Sequence, residues 1–587
     1  MPGFDRDSLV GDVLDVPEGR SVLQRHLAGL VNSPLAGQLR FVTVDRLLGL
    51  PMVRCDADAL LADLAGVDGA AAAPKEPEPR IVPRSDYEDD SVARGSAAAS
   101  YPGSVARYGR FELVLAGPSH GNPFTDVELS ATFTQGDAAV TCGGFYDGDG
   151  RHVVRFLPLA EGEWRFVTTS TARSLDGIEG TVVVGAAAGH GPVRVDGRPG
   201  ASYHFAHADG TRHVPLGTTC YAWTHQPEHL QRATLATLAA APFTKLRLCV
   251  FPKSYLFNTN DPDRYPYERA ADGSFDHTRF DPDYWRHLEG RIDDLAALGI
   301  EADLILFHAY DRWGFSAMSA AADDRYVAYA VRRLQAFPNV WWALANEYDL
   351  VWSKTTDDWE RIAGFVGAND PVGHLTSIHN CFGHYDHTRP WVTHASVQRV
   401  DVYRTAENVT EWRREWGKPV VVDECAYEGN IDQGWGNITS EEMTRRFWEG
   451  AVRGGYVGHG ETYLNDREEL WWSKGGELVG SSPARIAFLQ RVTEESPTGY
   501  LEPRPGEWDV PWCDSGSGAD DYLICYFGFN QPSFRDVHLP EGRRYDVDIL
   551  DTWNMTVERL PQRVENAVRV PLPARPFMAV RFVVAER

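Results

Sequence analysis

Apolar positions along this chain keep changing period, and each change marks a new kind of element. In residues 1–67 they fall at helical spacing: Leu9, Val10, Val13 and Leu14, then Val22, Leu23, Leu27, Leu30 and Val31, and later "DADALLADLAGV" with aspartates placed to cap. This predicts a small helical module, too short to hold much core alone and therefore expected to dock on a neighbour or a second copy. Residues 68–104 are rich in Ala, Pro, Ser and charge, the composition of a linker. From 105 to 195 the period drops to two, in "GRFELVLAG", "VELSATFTQ" and "GEWRFVTTST", between Gly and Asp turns. Several short strands at that spacing predict a β-sandwich. Residues 498–587 repeat the pattern in "DYLICYFGF", "RRYDVDILDTW" and "FMAVRFVVA", which predicts a second one.

Between them, residues 196–497 alternate short apolar runs with amphipathic helices. The strand candidates are 213–221, 244–251, 301–308, 339–347, 374–380, 391–398, 419–425 and 455–462, with helices such as "DPDYWRHLEGRIDDLAALG" and "SEEMTRRFWEGAVRGG" between most of them. Alternation of this kind predicts parallel βα units, and eight of them predict a (β/α)8 TIM barrel. Between strands five and six, "NCFGHYDHTRP" reads as a loop with no helix. The expected fold is therefore α/β, a barrel flanked by two sandwiches and preceded by the helical module.

Composition narrows the partners. Across 587 residues, 43% hydrophobic and 24% charged content is ordinary for globular protein. A formal net charge of -26 leaves no basic stripe to offset repulsion from a phosphate backbone, so nucleic acid is excluded as an expected partner. The first residues lack a basic stretch followed by an apolar one, and no segment reaches about 18 uninterrupted apolar residues. A cytoplasmic protein with no membrane partner is expected. The eight cysteines lie far apart without CxxC spacing, so neither a zinc knuckle nor a redox pair is signalled and reduced thiols are expected. No GxxxxGK[ST] phosphate loop is present.

In a barrel the chemistry sits where the apolar runs stop, at the carboxyl ends of the strands. Strand four, "NVWWALANEYDL", stops at Asn346-Glu347, and strand seven, "PVVVDEC", at Asp423-Glu424. Glu347 and Glu424 are thus expected to face one another across the mouth. Carboxylates about 5–5.5 Å apart are what retaining glycoside hydrolysis requires, one to protonate the leaving oxygen and one to attack the anomeric carbon. Asp423 is set aside as nucleophile, because alternation should turn it away from the mouth. Either glutamate alone is more commonly a solvated loop residue; their joint placement carries the reading.

The stretches "WWALANEYD" and "KPVVVDECAYEGN", with "KLRLCVF" on strand two, resemble the clan of retaining (β/α)8 glycoside hydrolases of cellulase and apiosidase-like type over residues 200–495. That resemblance implies a covalent glycosyl-enzyme, Glu347 as acid/base, Glu424 as nucleophile and Asn346 on the sugar 2-hydroxyl. Physical reasoning adds Arg247, whose buried guanidinium needs a partner and could keep Glu424 ionised, although a purely structural ion pair is an equal alternative. Glu347 needs a raised pKa, expected from Trp341, Trp342 and Tyr348 or from the charge on Glu424.

Further strand ends supply His308, His379, Asn380, His394, Gln398, His459 and Glu461, and Tyr310, Trp313 and Trp472 join them as a candidate subsite wall, since sugars present hydroxyls along apolar faces. Trp223 and Trp471 belong to the same aromatic set, some of which must fill core. The cluster His379, His384, Asp386, His387 and His394 has ligand chemistry but no metal-site spacing, so no metal and no cofactor are expected. The expected protein is an exo-acting retaining O-glycosidase on short oligosaccharides or glycosides. A transglycosylase using the same glutamates, and a non-catalytic carbohydrate-binding protein, are the alternatives. The helical module leaves homo-oligomerisation open.

Overall fold

The computed structural model describes residues 3–50, 52–68, 78–398, 405–505, 509–515 and 520–585. At its centre is a parallel barrel of β1 (Gly217–Thr219), β2 (Lys245–Cys249), β3 (Glu301–His308), β4 (Val340–Asn346), β5 (Thr376–Ser377), β6 (Ala395–Gln398), β7 (Val420–Glu424) and β8 (Tyr456–His459). These pair in the order β5-β4-β3-β2-β1-β8-β7-β6. The seam between β5 and β6 is spanned by a single parallel bridge, His379 to Ser396, so the barrel is nearly closed. No helix lies between β5 and β6 among the described residues, as the sequence predicts, and pairing is weakest there.

Every residue of β3 and β4 is buried. One face meets the barrel interior and the other the helices, which is why these strands read as unbroken apolar runs. Helix starts are fixed locally. Asp281 accepts the amides of Asp283 and Tyr284 ahead of Pro282–Ala297, and Thr355 forms a capping box with Asp358 ahead of Thr356–Asn369. A short sheet of Val193–Val195, Phe205–His207 and Arg212–His213 closes the amino end, where Phe205 packs with Trp341, Leu375, Val421 and Tyr456. The carboxyl ends are left as the mouth.

The N-terminal sheet domain runs from Ala98–Ser100 to Glu179–Gly185 around Phe111, Leu113, Phe133, Phe156, Trp164 and Phe166. Its strands Ala98–Ser100 and Ser104–Ala106 begin inside the stretch expected as linker, being too short for alternation to show. Of that stretch, residues 69–77 lie outside the described residues. Residues 78–97 are tied to a barrel helix, Arg80 pairing with Asp324 at 2.6 Å and Glu78 with Arg325 at 2.8 Å. A buried network fastens the sheet domain to the barrel: Arg155–Glu289 at 2.7 Å, Arg333–Glu289 at 2.6 Å and Arg333–Asp147 at 2.8 Å.

At the other end of the chain a six-stranded sheet and a two-stranded one enclose Trp512, Leu523, Val547, Val570 and Phe582. Tyr526 there stacks on Trp448 of the barrel helix Ser440–Val452. The N-terminal helices Val10–Asp15, Pro17–Val31, Val44–Leu48 and Ala57–Ala65 share one continuous core with the barrel. Buried Gln38 donates to Ser316 Oγ at 2.6 Å, so the module docks beside the mouth.

Candidate active site

Glu347 follows β4 directly in the left-handed region, at φ 53°, a conformation that costs a non-glycine residue about 1–3 kcal/mol and that clusters at functional sites. Its carboxylate accepts from Asn346 Nδ2 at 3.1 Å and from Gln398 Nε2, at the end of β6, at 3.2 Å. Across the mouth, Glu424 ends β7 and accepts from the Tyr221 hydroxyl. The same hydroxyl lies 3.3 Å from Asn346 Oδ1. A polar chain Glu347, Asn346, Tyr221, Glu424 thus crosses the mouth. Arg247 Nη1 stands 3.7 Å, and His379 Nδ1 4.0 Å, from Glu424 Oε1.

One layer below, Lys245 Nζ binds Asp303 at 2.7 Å and Asp423 at 2.6 Å, Ser396 Oγ donates to Asp423 at 2.6 Å, and Arg247 Nε lies 3.5 Å from Asp303. Asp423, expected from alternation to turn away from the mouth, lies below it but faces the barrel axis as Glu424 does. The register between β6 and β7 slips at Val397/Gln398, which lets consecutive residues both face the barrel axis. Burial opposes charge on Asp423, but Lys245 and Arg247 hold its carboxyl well below the usual range. Burial opposes charge on Arg247 too, and Asp423, Tyr221, Asp303 and Glu424 outweigh it, raising its pKa.

Glu347 is pushed up to about 7, first by burial and then by the charge on Glu424, with Lys253 and the Tyr310 hydroxyl pulling the other way. The tryptophans expected to do this lie elsewhere. Trp341 donates to Glu301 at 3.0 Å toward the barrel base, Trp342 to Asp370 at 3.1 Å, and the Tyr348 hydroxyl donates to the Gly383 carbonyl at 3.1 Å. These residues sit at the far end of β4 or outside the mouth.

The wall around the glutamates is Tyr221, Tyr255, Tyr310, Tyr427, Trp435 and Trp472. Ring centroids are 4.5 Å apart for Tyr255–Tyr310, 5.0 Å for Trp435–Trp472 and 5.8 Å for Tyr255–Trp472. Lys253, buried among them, places Nζ 3.8 Å from the Tyr221 ring centre and 4.6 Å from that of Tyr310, and burial lowers its pKa. Sequence reasoning missed Tyr221, Lys253, Tyr255, Tyr427 and Trp435. Tyr221 closes the first apolar run and Tyr427 follows Glu424 by three residues, so the strand-end rule reaches them; Lys253 and Trp435 lie in loops that carry no such signal.

Of the remaining expected residues, Asn380 braces Gln398 through two 3.2 Å hydrogen bonds, and His308, bonded to the Phe251 carbonyl at 3.2 Å, is kept neutral by burial and by Lys253. Trp472 joins the wall. Trp313 does not: its indole donates to Asp261 at 3.0 Å. His394 lies against Trp341 and Phe205 at the barrel's amino end, because it precedes β6. His459 lies in register with Thr218 on the outer face, bonds it at 3.0 Å and stacks on Phe243, while Glu461 accepts the amides of Val479 and Gly480. Trp223 is core, and Trp471 donates to Thr218 at 2.8 Å on that outer face.

Among the described residues, two groups bring three possible metal-ligand atoms within 4.8 Å of one another: His207, His213 and Glu301, and Glu428, His459 and Glu461. Neither includes Glu347 or Glu424. The histidine cluster of 379–394 forms no such group; His384 and His387 instead pack on Trp416.

Residues 200–475 match the profile of the Apiosidase-like catalytic domain, and residues 104–171 and 508–583 match two domains of unknown function, DUF5060 and DUF5605. A candidate glycoside hydrolase of known structure from Bacteroides vulgatus ATCC 8482 is 38% identical, with a TM-score of 0.77 over 82% of this chain and 100% of its own. A family 5 glycoside hydrolase from the same organism shares the fold at 15% identity and a TM-score of 0.52, over 67% of this chain and 94% of its own. No curated protein matches. No helix among the described residues is long and apolar enough to cross a membrane.

Proposed function

This chain belongs to the glycoside hydrolases, so its substrate is a carbohydrate, and from that premise we propose that it hydrolyses O-glycosides with retention by double displacement. Glu424 attacks the anomeric carbon while Glu347 gives its proton to the leaving oxygen. Glu347, now a carboxylate, then takes a proton from the water that releases the sugar from Glu424. The observation that carries this reading is the polar chain across the mouth, with Glu347 pushed up to about 7 at one end and Glu424 beside the Arg247 guanidinium at the other. A buried carboxyl with a raised pKa, facing a second carboxyl beside a guanidinium, fits an acid and a nucleophile.

Tyr221 and Arg247 orient Glu424, Gln398 and Asn346 orient Glu347, and the aromatic wall receives the sugar's apolar face. The two sheet domains, read as β-sandwiches, and the docked helical module crowd the barrel, which favours exo action on short glycosides. The name of the matching catalytic domain makes apiosides the first substrates to try. The test is a panel of aryl glycosides and short oligosaccharides, furanose and pyranose, given to wild type and Glu424→Gly. The expected result is a hit that vanishes in the variant and partly returns with azide, which replaces the missing nucleophile. Undiminished turnover by Glu424→Gly would sink the assignment.

A further inference from the structure

A cleft of about 640 Å³ separates the N-terminal helical module from the barrel loops that follow β2 and β3. Asn32, Gln38 and Phe41 line it from the module, and Tyr255, Leu256 and Arg312 from the barrel. That volume falls in the range of about 300–1,000 Å³ typical of small-molecule sites. Gln38 is 2% exposed, its Nε2 is spent on Ser316, and its Oε1 has no hydrogen-bond partner. A buried amide oxygen left unpaired is costly unless a ligand hydroxyl or water completes it. Phe41 at 40% and Leu256 at 37% exposure add apolar surface that none of the described residues covers.

The cleft lies on one side of the two glutamates. The Tyr310 hydroxyl is among the groups that pull the Glu347 pKa down, its ring is 4.5 Å from that of Tyr255, and Tyr255 is the inner wall of the cleft. The groups around Glu424, namely Tyr221, Arg247, His379 and Tyr427, contribute nothing to its lining. The oxygen that departs must lie against the acid that protonates it, so what is attached to that oxygen extends from the Glu347 side.

We propose that this cleft is a leaving-group subsite, in which the helical module and the barrel together hold the sugar or glycoside portion that departs. The inference rests on Glu347 being the acid. Hydroxyls of the departing saccharide meet Asn32, Gln38 and Arg312, and its C–H face meets Phe41, Leu256 and Tyr255.

The test compares Phe41→Ala and Asn32→Ala with wild type on two substrates of the same non-reducing sugar, a disaccharide and a 4-nitrophenyl glycoside, with thermal unfolding as a control. Expected is a fall of about tenfold in kcat/KM for the disaccharide, carried by KM, with the nitrophenyl glycoside within about twofold of wild type. Equal effects on both substrates, or none on either, would overturn it; if Phe41→Ala lowers the unfolding midpoint, exposed Asn32 decides. Glu347→Ala in the same assay separates the premise from the inference, since loss of an acid slows the disaccharide far more than the activated nitrophenyl glycoside.

Discussion

Glu347 and Lys253 show how far single residues can be read. The glutamate was legible because β4 is apolar throughout and stops at Asn346, so the first charged residue had to face the mouth. Lys253 was not, because a lysine in a loop is ordinarily solvated and only the folded chain shows it buried among tyrosines. Its charge lowers the Glu347 pKa, which burial and Glu424 raise to about 7. With Glu347 as the proposed acid, competence is full well below that value and is lost as pH rises through it. The pH profile of kcat/KM on an unactivated glycoside should therefore show an alkaline limb near 7. Lys253→Met should move that limb to higher pH; a limb that stayed in place would show that Lys253 does not set the proton on Glu347.

At the scale of elements, the strands and their order followed from alternating apolar runs and amphipathic helices, but strand ends did not follow from alternation. The slip between β6 and β7 brought Asp423 and Glu424 both inward, and His459 in register with Thr218 went outward. Bulges and registers are set by neighbouring strands, which one strand's sequence does not contain. The barrel base offers a test of how β3 and β4 are packed. Burial pushes the pKa of Glu301 up to about 8, against the hydrogen bond it accepts from the Trp341 indole. The unfolded chain releases that proton near the usual value of about 4.3. The fold therefore favours the protonated form, and its contribution to stability is full below the unfolded pKa and lost as pH rises through about 8. Glu301→Gln, which mimics the protonated side chain, should match wild type near pH 4 and unfold at a higher temperature at pH 8.5. Equal midpoints at both pH values would contradict this.

Across the whole molecule, composition and period separated the sheet domains from the barrel, yet nothing in either revealed how they dock. Arg155, Asp147, Glu289 and Arg333 come from distant parts of the sequence and meet only on folding. Arg155 and Arg333 together hold Glu289 at about 2 in spite of burial. Arg333→Met should cost about 3–5 kcal/mol in denaturant unfolding, because it leaves a buried charge short of its partner. Replacing exposed Arg165 with Met should cost less than about 1 kcal/mol. The helical module was expected to need a neighbour, and the one it found is the barrel mouth, beside the loop that carries Tyr310 and Asp311. All of this converges on whether Glu424 becomes bonded to sugar. The most direct measurement is mass spectrometry of peptides from enzyme quenched with the 2-deoxy-2-fluoro derivative of a glycoside it cleaves. A mass increment of one fluorosugar on the peptide containing Glu424, absent in Glu424→Gln, is predicted. Turnover of the parent glycoside with inverted product and no adduct, or an adduct on another residue, would contradict it.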